Sequence, residues 1–435
     1  MRPVTLPFVL AAALAGASGC ASAETANDGV RPEKPSWFSR LNGAMHVVSE
    51  RTLTVAPRTV GEDYERGRAA IDAERGRIFL GTADRGLYAL RASDLSTIWR
   101  FETMGVVQSE PLYDRELDYV YFGSHDGALY CVRAADGILV WRFASGAEVA
   151  RKPVTDGGER LFFANGADNL FAVDRRTGKP AWAVHRTPAL GMEISGYAGP
   201  TYENGVVYAA YSDGNVIAYR ASDGGEVWPQ PVDLAAEAEH QSNGEQQRYL
   251  DVDTTPVLDT IQGSRVVYVA SYAGGVYARD VSSGGHVWKN EKVTGVTELT
   301  LWEEPAHVPN PEGPERGTGM VPARKYLLAS GSSGLWALDP NQNGRDVWRV
   351  PVPEGGITSP VAIAGALMVG TTRYGMFLMS PLNGRPIDGF DVGTGFSQTP
   401  AAFGNQAYAL SNAGTLVAIH VDPPIVRKPA AAFLK

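Results

Sequence analysis

Cysteines, histidines and carboxylates are the side chains that could do chemistry here, and their spacing decides which chemistry is open. His46, His125, His185, His240, His286, His307 and His420 are scattered, without the short intervals that build a zinc site. The two cysteines, Cys20 and Cys131, make neither a disulfide framework nor a Cys-x-x-Cys pair. The chain has no Gly-x-Ser-x-Gly elbow and no glycine-rich phosphate loop. Its 48 acidic residues are too many for any pair to be singled out as general acid and base. The sequence therefore nominates no catalytic residue, no metal ligand and no cofactor. Two places stand out instead: Cys20 behind an apolar leader, and the acidic run Asp251-Val252-Asp253-Thr254-Thr255-Pro256-Val257.

Composition narrows the partners. Of 435 residues, 44% are apolar and 20% charged, which excludes a disordered or fibrous chain. The net charge of −9, with no basic tract, repels phosphate backbones and excludes nucleic acid. Arg2 and the apolar run Leu6 to Leu14 form the layout of a secretory signal peptide, too short to span a bilayer. Ala17-Ser18-Gly19-Cys20 resembles a bacterial lipobox, so residues 1–19 are expected to be removed and Cys20 acylated. Cleavage near Ala21 to Ala23 by an ordinary signal peptidase is the alternative. Residues 20–44 then read as a tether. Ala21 after the cysteine favours sorting to the outer membrane.

A repeat organises the rest. Gly86-Leu87-Tyr88-Ala89-Leu90 recurs as Ala128-Leu129-Tyr130-Cys131-Val132, Asn169-Leu170-Phe171-Ala172-Val173 and five further copies, the last at Thr415-Leu416-Val417-Ala418-Ile419. Each of the first six is followed by a tryptophan: Trp99, Trp141, Trp182, Trp228, Trp288 and Trp348. The step from the Leu/Val position to its Trp is twelve residues in five copies and thirteen in the sixth. Asp136-Gly137, Thr177-Gly178, Asp223-Gly224 and Ser283-Gly284 supply the tight turns between. Short apolar and aromatic runs between such turns are strands with both faces covered.

Four strands per unit stacked radially predict an all-β chain, an eight-bladed β-propeller of four-stranded antiparallel blades over residues 45–422, with a tail at 423–435. The tryptophans are expected to wedge each blade against the next. The last unit runs out of chain after three strands, so His46 to Val55 should complete it and close the ring. In the seventh unit Asp388 stands in the tryptophan register, and its outer packing should differ.

The pattern Gly-x-x-Asp-Gly-x-Leu-Tyr-Ala-Leu followed by Gly-x-x-x-Trp is similar to the repeat of quinoprotein-like (PQQ-repeat) propellers. That fold hosts quinone-dependent dehydrogenases, the BamB family of outer-membrane assembly lipoproteins, and other sensor or scaffold propellers. The run Asp251 to Val257 resembles a segment of the BamB family. The resemblance implies a non-enzymatic periplasmic scaffold, lipid-anchored at the outer membrane, that binds periplasmic domains of the β-barrel insertase and nascent outer-membrane proteins. It places partner contacts at Asp251 and Asp253, and on the stretch Met192-Glu193-Ile194-Ser195-Gly196, where Met192 and Ile194 keep apolar character and Ser195 replaces an expected Arg. Read from the residues alone, Asp251 and Asp253 equally suit turn capping. A dehydrogenase of this fold implies a Ca²⁺ site, basic groups for a quinone and a vicinal Cys-Cys pair; Cys131 stands alone in a packed strand. A ligand-binding or degenerate quinoprotein propeller is the alternative reading.

Two long stretches, Pro229 to Leu250 and Val296 to Met320, read as links from one blade's outer strand to the next inner strand, both on one face near the channel mouth. The first is acidic, with a short helix expected at Leu234 to His240. The second carries Trp302, either a partner anchor or a ring pinning its own loop.

Overall fold

A computed structural model describes residues 43–54, 65–188, 197–241, 251–308, 320–352 and 355–423. The leader, Cys20, Met192 and Ile194 lie outside these residues. The described chain forms eight four-stranded antiparallel sheets. Seven take their strands consecutively: residues 69–102, 112–144, 154–185, 201–233, 257–290, 296–350 and 361–390. First strands of successive sheets lie against one another, so they surround the axis of a ring and the fourth strands form its rim.

The eighth sheet closes the ring as expected. Ala401–Phe403, Gln406–Leu410 and Thr415–Val421 are completed on the rim by Met45–Thr52 from the other end of the chain. This strand pairs from Met45 opposite Val421 to Thr52 opposite Thr415, with a bulge between Val47 and Ser49. Pairing the two ends removes the edges an open array would expose.

Burial follows position within the blade. Second and third strands, such as Arg77–Gly81 and Gly86–Arg91, are buried on both faces, which explains their unbroken apolar runs. Outer strands such as Thr97–Glu102 alternate exposed and half-buried residues. Cys131 is fully buried between blades two and three, and burial pushes its thiol pKa up.

The six tryptophans sit at blade junctions, each under a left-handed glycine of the next blade's outer turn. Trp99 lies beneath Gly137, Trp141 beneath Gly178, Trp182 beneath Gly224, Trp228 beneath Gly284, Trp288 beneath Gly344 and Trp348 beneath Gly384. Five of the indole N–H groups donate to the carbonyl three residues before that glycine, from Trp99 to Ala134 (3.0 Å) through Trp348 to Pro381 (2.9 Å). Trp288 is the exception, its indole N–H having no partner among the described residues. The blade it meets carries the one-residue-longer turn: a 3₁₀ turn at Pro340–Gln342, capped by Asp339, displaces the acceptor.

The two remaining junctions explain why the pattern stops. The eighth blade has no outer turn, because its third and outer strands come from opposite ends of the chain. A tryptophan in blade seven would find no glycine there. Asp388 occupies that register and instead accepts the N–H groups of Ala44 and Met45 (2.8 Å for Met45), pinning the start of the closing strand. At the junction of blades eight and one, no tryptophan among the described residues reaches in. Leu95 adopts the left-handed conformation that glycine takes elsewhere (φ 59°), and its fully buried side chain packs with Leu90, Tyr408 and Leu416. The Tyr408 hydroxyl donates to Ala92 O (3.2 Å), taking over the indole's bond.

One expectation changes. Val296–Glu304 is the inner strand of blade six, paired with Arg324–Gly331 from Val296 opposite Gly331 to Glu304 opposite Arg324. The extra residues therefore join first and second strands rather than outer to inner. Since neighbouring strands alternate in direction, this hairpin emerges on the face opposite the 233–256 link, not beside it. The sequence hides this because the inner strand here is nine residues long, against two to five in the other blades.

Candidate functional site

The approach to each inner strand has its own small motif. In four of the eight blades a hydroxyl stands two residues before the proline or its equivalent: Ser109, Thr254, Thr297 and Thr358. It bonds the second strand of its own blade, as in Ser109 Oγ to Gly123 O (3.0 Å), Thr254 Oγ1 to Ala270 O (3.1 Å) and Gly370 N to Thr358 Oγ1 (2.8 Å). These bonds satisfy backbone groups where the first ladder has not yet begun.

Asp251–Pro256 is one such approach, with an acidic extension. Val252 N donates to Tyr211 O (3.3 Å), drawing the segment onto blade four. Thr255 Oγ1 accepts Gly199 N (3.2 Å), and Thr201 Oγ1 donates to Pro256 O (2.6 Å). The structure buries both Asp251 and Asp253, each at 2% exposure, along a seam between blades four and five. On the approach to blade four, the Tyr197 hydroxyl accepts Ala150 N (2.5 Å) and donates to Glu148 O (2.8 Å). Burial raises its pKa, so it stays protonated and able to do both.

Blades one, four and eight carry Gly67, Ala198 and Gln398 at that position, and blade three carries Arg151. The guanidinium donates through Nε to Tyr197 O, through Nη2 to Asp253 O (3.3 Å) and through Nη1 to Glu298 Oε1 (2.9 Å). Glu298 belongs to blade six, so this ion pair joins inner-strand entries three blades apart and crosses the mouth of the channel. Beside it, Glu110 of blade two takes both Arg68 (2.8 Å) and Lys152 (2.5 Å), linking blades one to three. Composition and motif reading passed over Arg151 and Glu298. The available signal was an arginine two residues before Pro153, the one charged residue at a position that other blades fill with Ser, Thr, Gly, Ala or Gln.

The remaining nominated residues are dispersed. Trp302 lies in the inner strand of blade six, 7% exposed and stacked on Tyr326 (5.4 Å between ring centres). It is far along the strand from Glu298, toward the opposite face. Past it, His307 pairs with Val321, and Val308 and Met320 flank this bridge at 72% and 70% exposure. A helix does follow blade four, at Leu234–Gln241, where Glu237 clasps Arg279 of blade five with both oxygens (2.6 Å each). These two residues line an open rim cleft of about 420 Å³ with Pro229, Asp233 and His286.

Comparison with known proteins adds the following. A family model for outer membrane protein assembly factor BamB matches residues 116–312. BamB of Legionella pneumophila (strain Paris) is 24% identical over 242 residues, covering 55% of this chain and 54% of its own. A polyvinylalcohol dehydrogenase of Pseudomonas sp is also 24% identical, over 235 residues, covering 45% of this chain and 36% of that protein. Among solved structures, BamB from Moraxella catarrhalis matches with a TM-score of 0.63 and 18% identity, over 86% of this chain and 99% of that one. The chain spans about half the length of the curated BamB relative and about a third of the dehydrogenase. It is an eight-bladed propeller of PQQ-type repeats that resembles BamB in sequence and in fold.

Proposed function

We propose that this chain is a non-enzymatic periplasmic lipoprotein that scaffolds outer-membrane β-barrel assembly by binding periplasmic domains of the barrel insertase. The observation that carries this reading is the likeness to BamB over residues 116–312, a stretch that contains the run Asp251 to Val257. Acyl chains on Cys20 hold the propeller at the periplasmic face of the outer membrane, since several chains bury enough methylenes for stable anchoring. The docking surface is the face carrying Asp251–Pro256, and the family resemblance adds the apolar Met192 and Ile194, which lie outside the described residues, as further partner contacts. Asp251 and Asp253 are too buried to reach across an interface, so in this reading they shape the segment that the partner meets. Trp302 serves the scaffold from inside, bracing the blade-six hairpin against Tyr326. Nascent strands pair along the rim, whose outer strands leave one edge unpaired and expose Ile98, Leu139, Val287 and Val347.

The test is calorimetric titration of residues 21–435 with the insertase's periplasmic domains, beside Asp251→Ala/Asp253→Ala. Binding that weakens in a cooperatively melting double variant supports the reading and its site. Unchanged binding keeps the function and returns the two aspartates to turn capping. Absent binding refutes the scaffold. A second reading, a ligand-binding or degenerate quinoprotein propeller, draws on the dehydrogenase likeness. Heat released on adding quinone with Ca²⁺ would favour it.

A further inference from the structure

We propose that Arg151 is a positioning residue for the docking face: from blade three it sets the shape of the Asp251–Pro256 segment in blade five. This rests on the scaffold reading for its biological meaning, though not for its geometry. Three facts carry it. Arg151 is the one charged residue at a position that four other blades fill with a short hydroxyl serving their own sheet and the remaining three fill with Gly67, Ala198 and Gln398. Its guanidinium spends its donors on three other blades, on Tyr197 O, Asp253 O and Glu298. Two of those acceptors are main-chain carbonyls of the segments that enter blades four and five, so the contact fixes backbone position.

A planar guanidinium suits this task. Its donors diverge in a fixed plane and reach three acceptors at once, whereas an ammonium concentrates its donors on one atom. Glu298 faces it from blade six and pairs with the cation at 2.9 Å. On the other side, Gly199 N to Thr255 Oγ1 and Thr201 Oγ1 to Pro256 O tie the two segments together, so a displacement at Asp253 is passed to the blade-four entry. The face thereby acquires one shape before a partner arrives, which lowers the ordering cost of binding.

The test compares Arg151→Met, Arg151→Lys and Glu298→Gln in the full-length protein, by hydrogen exchange and by titration with the insertase's periplasmic domains. Arg151→Met should speed exchange of the amides at 252–255 by about tenfold or more while leaving Ile78 to Leu80 in blade one unchanged. It should weaken partner binding by about tenfold. Arg151→Lys should not restore either property. Glu298→Gln keeps both carbonyl bonds and should have the smaller effect. Exchange at 252–255 that stays at the wild-type rate in Arg151→Met overturns the inference. So does full rescue by lysine, or binding that stays at wild-type strength while the segment loosens. If the wild-type protein does not bind the insertase domains but the segment still loosens, the scaffold reading falls and the positioning role stands. Should Arg151→Met fail to fold, Arg151→Lys carries the same exchange comparison.

Discussion

Gly178→Ala tests the blade junction most directly, because two separable costs meet there. Gly178 has φ +70°, a conformation that costs an L-residue about 1 kcal/mol. A Cβ at that point would sit 2.7 Å from Trp141 Cδ2, 2.8 Å from Cε3 and 2.9 Å from Cγ. Carbon atoms prefer roughly 3.5–4.0 Å, so the overlap is close to an ångström at three ring atoms. The ring has little room to retreat, being buried, packed on Tyr121 at 5.8 Å and bonded through its N–H to Arg175 O (3.2 Å). Overpacking of this kind costs about 1–3 kcal/mol, for a total near 2–4 kcal/mol. Gly157→Ala isolates the backbone part, since its φ is +75° and nothing lies within 4 Å of the new carbon. It should cost about 1 kcal/mol. In a Trp141→Leu background the clash disappears, and Gly178→Ala should fall to that same 1 kcal/mol, a coupling of about 1–3 kcal/mol. Equilibrium urea unfolding of the four proteins measures the cycle. Costs that add to within about 0.5 kcal/mol, or a Gly178→Ala no worse than Gly157→Ala, would refute the indole–glycine account of blade packing.

At the junction of blades eight and one the reverse substitution should also destabilise, for a different reason. Leu95→Gly relaxes a left-handed residue yet empties a fully buried site, and should destabilise by about 1–3 kcal/mol in the same assay. Asp388→Ala removes the acceptor for Ala44 and Met45 N–H and should cost about 1–3 kcal/mol, with faster hydrogen exchange confined to 45–52. Exchange accelerated throughout the ring would count against a local latch. Asp118 supplies a pH dependence. Burial opposes its charge, but hydrogen bonds from Arg77 and Tyr113 and the nearby guanidinium charge outweigh burial and hold its pKa below the ordinary 3.8. A lowered carboxyl pKa adds stability above 3.8 that disappears as pH falls through the folded value. Asp118→Asn should therefore lower stability at neutral pH and flatten the acid limb of the stability profile.

Much of this protein was legible in its residues because a propeller is a one-dimensional pattern wrapped into a ring. Eight variants of the Leu-Tyr-Ala-Leu run, six tryptophans at a near-constant step and glycines at the turns determine the blade, and a last unit one strand short determines that the strand run at 46–55 completes it. Even Asp388 in the tryptophan register announced a different junction. Which partner that junction takes depends on the ring closing. Only then do Ala44 and Met45 arrive beside Asp388, and only then does Leu95 meet Tyr408 instead of an indole. The length of the blade-six inner strand likewise depended on its pairing with Arg324–Gly331, and that pairing moved Trp302 from a loop into a packed strand and its hairpin to the opposite face. The channel mouth was decided by tertiary structure alone. Arg151 and Glu298 lie 147 residues apart and face each other because inner strands converge on one axis, a juxtaposition that a repeat read blade by blade does not encode.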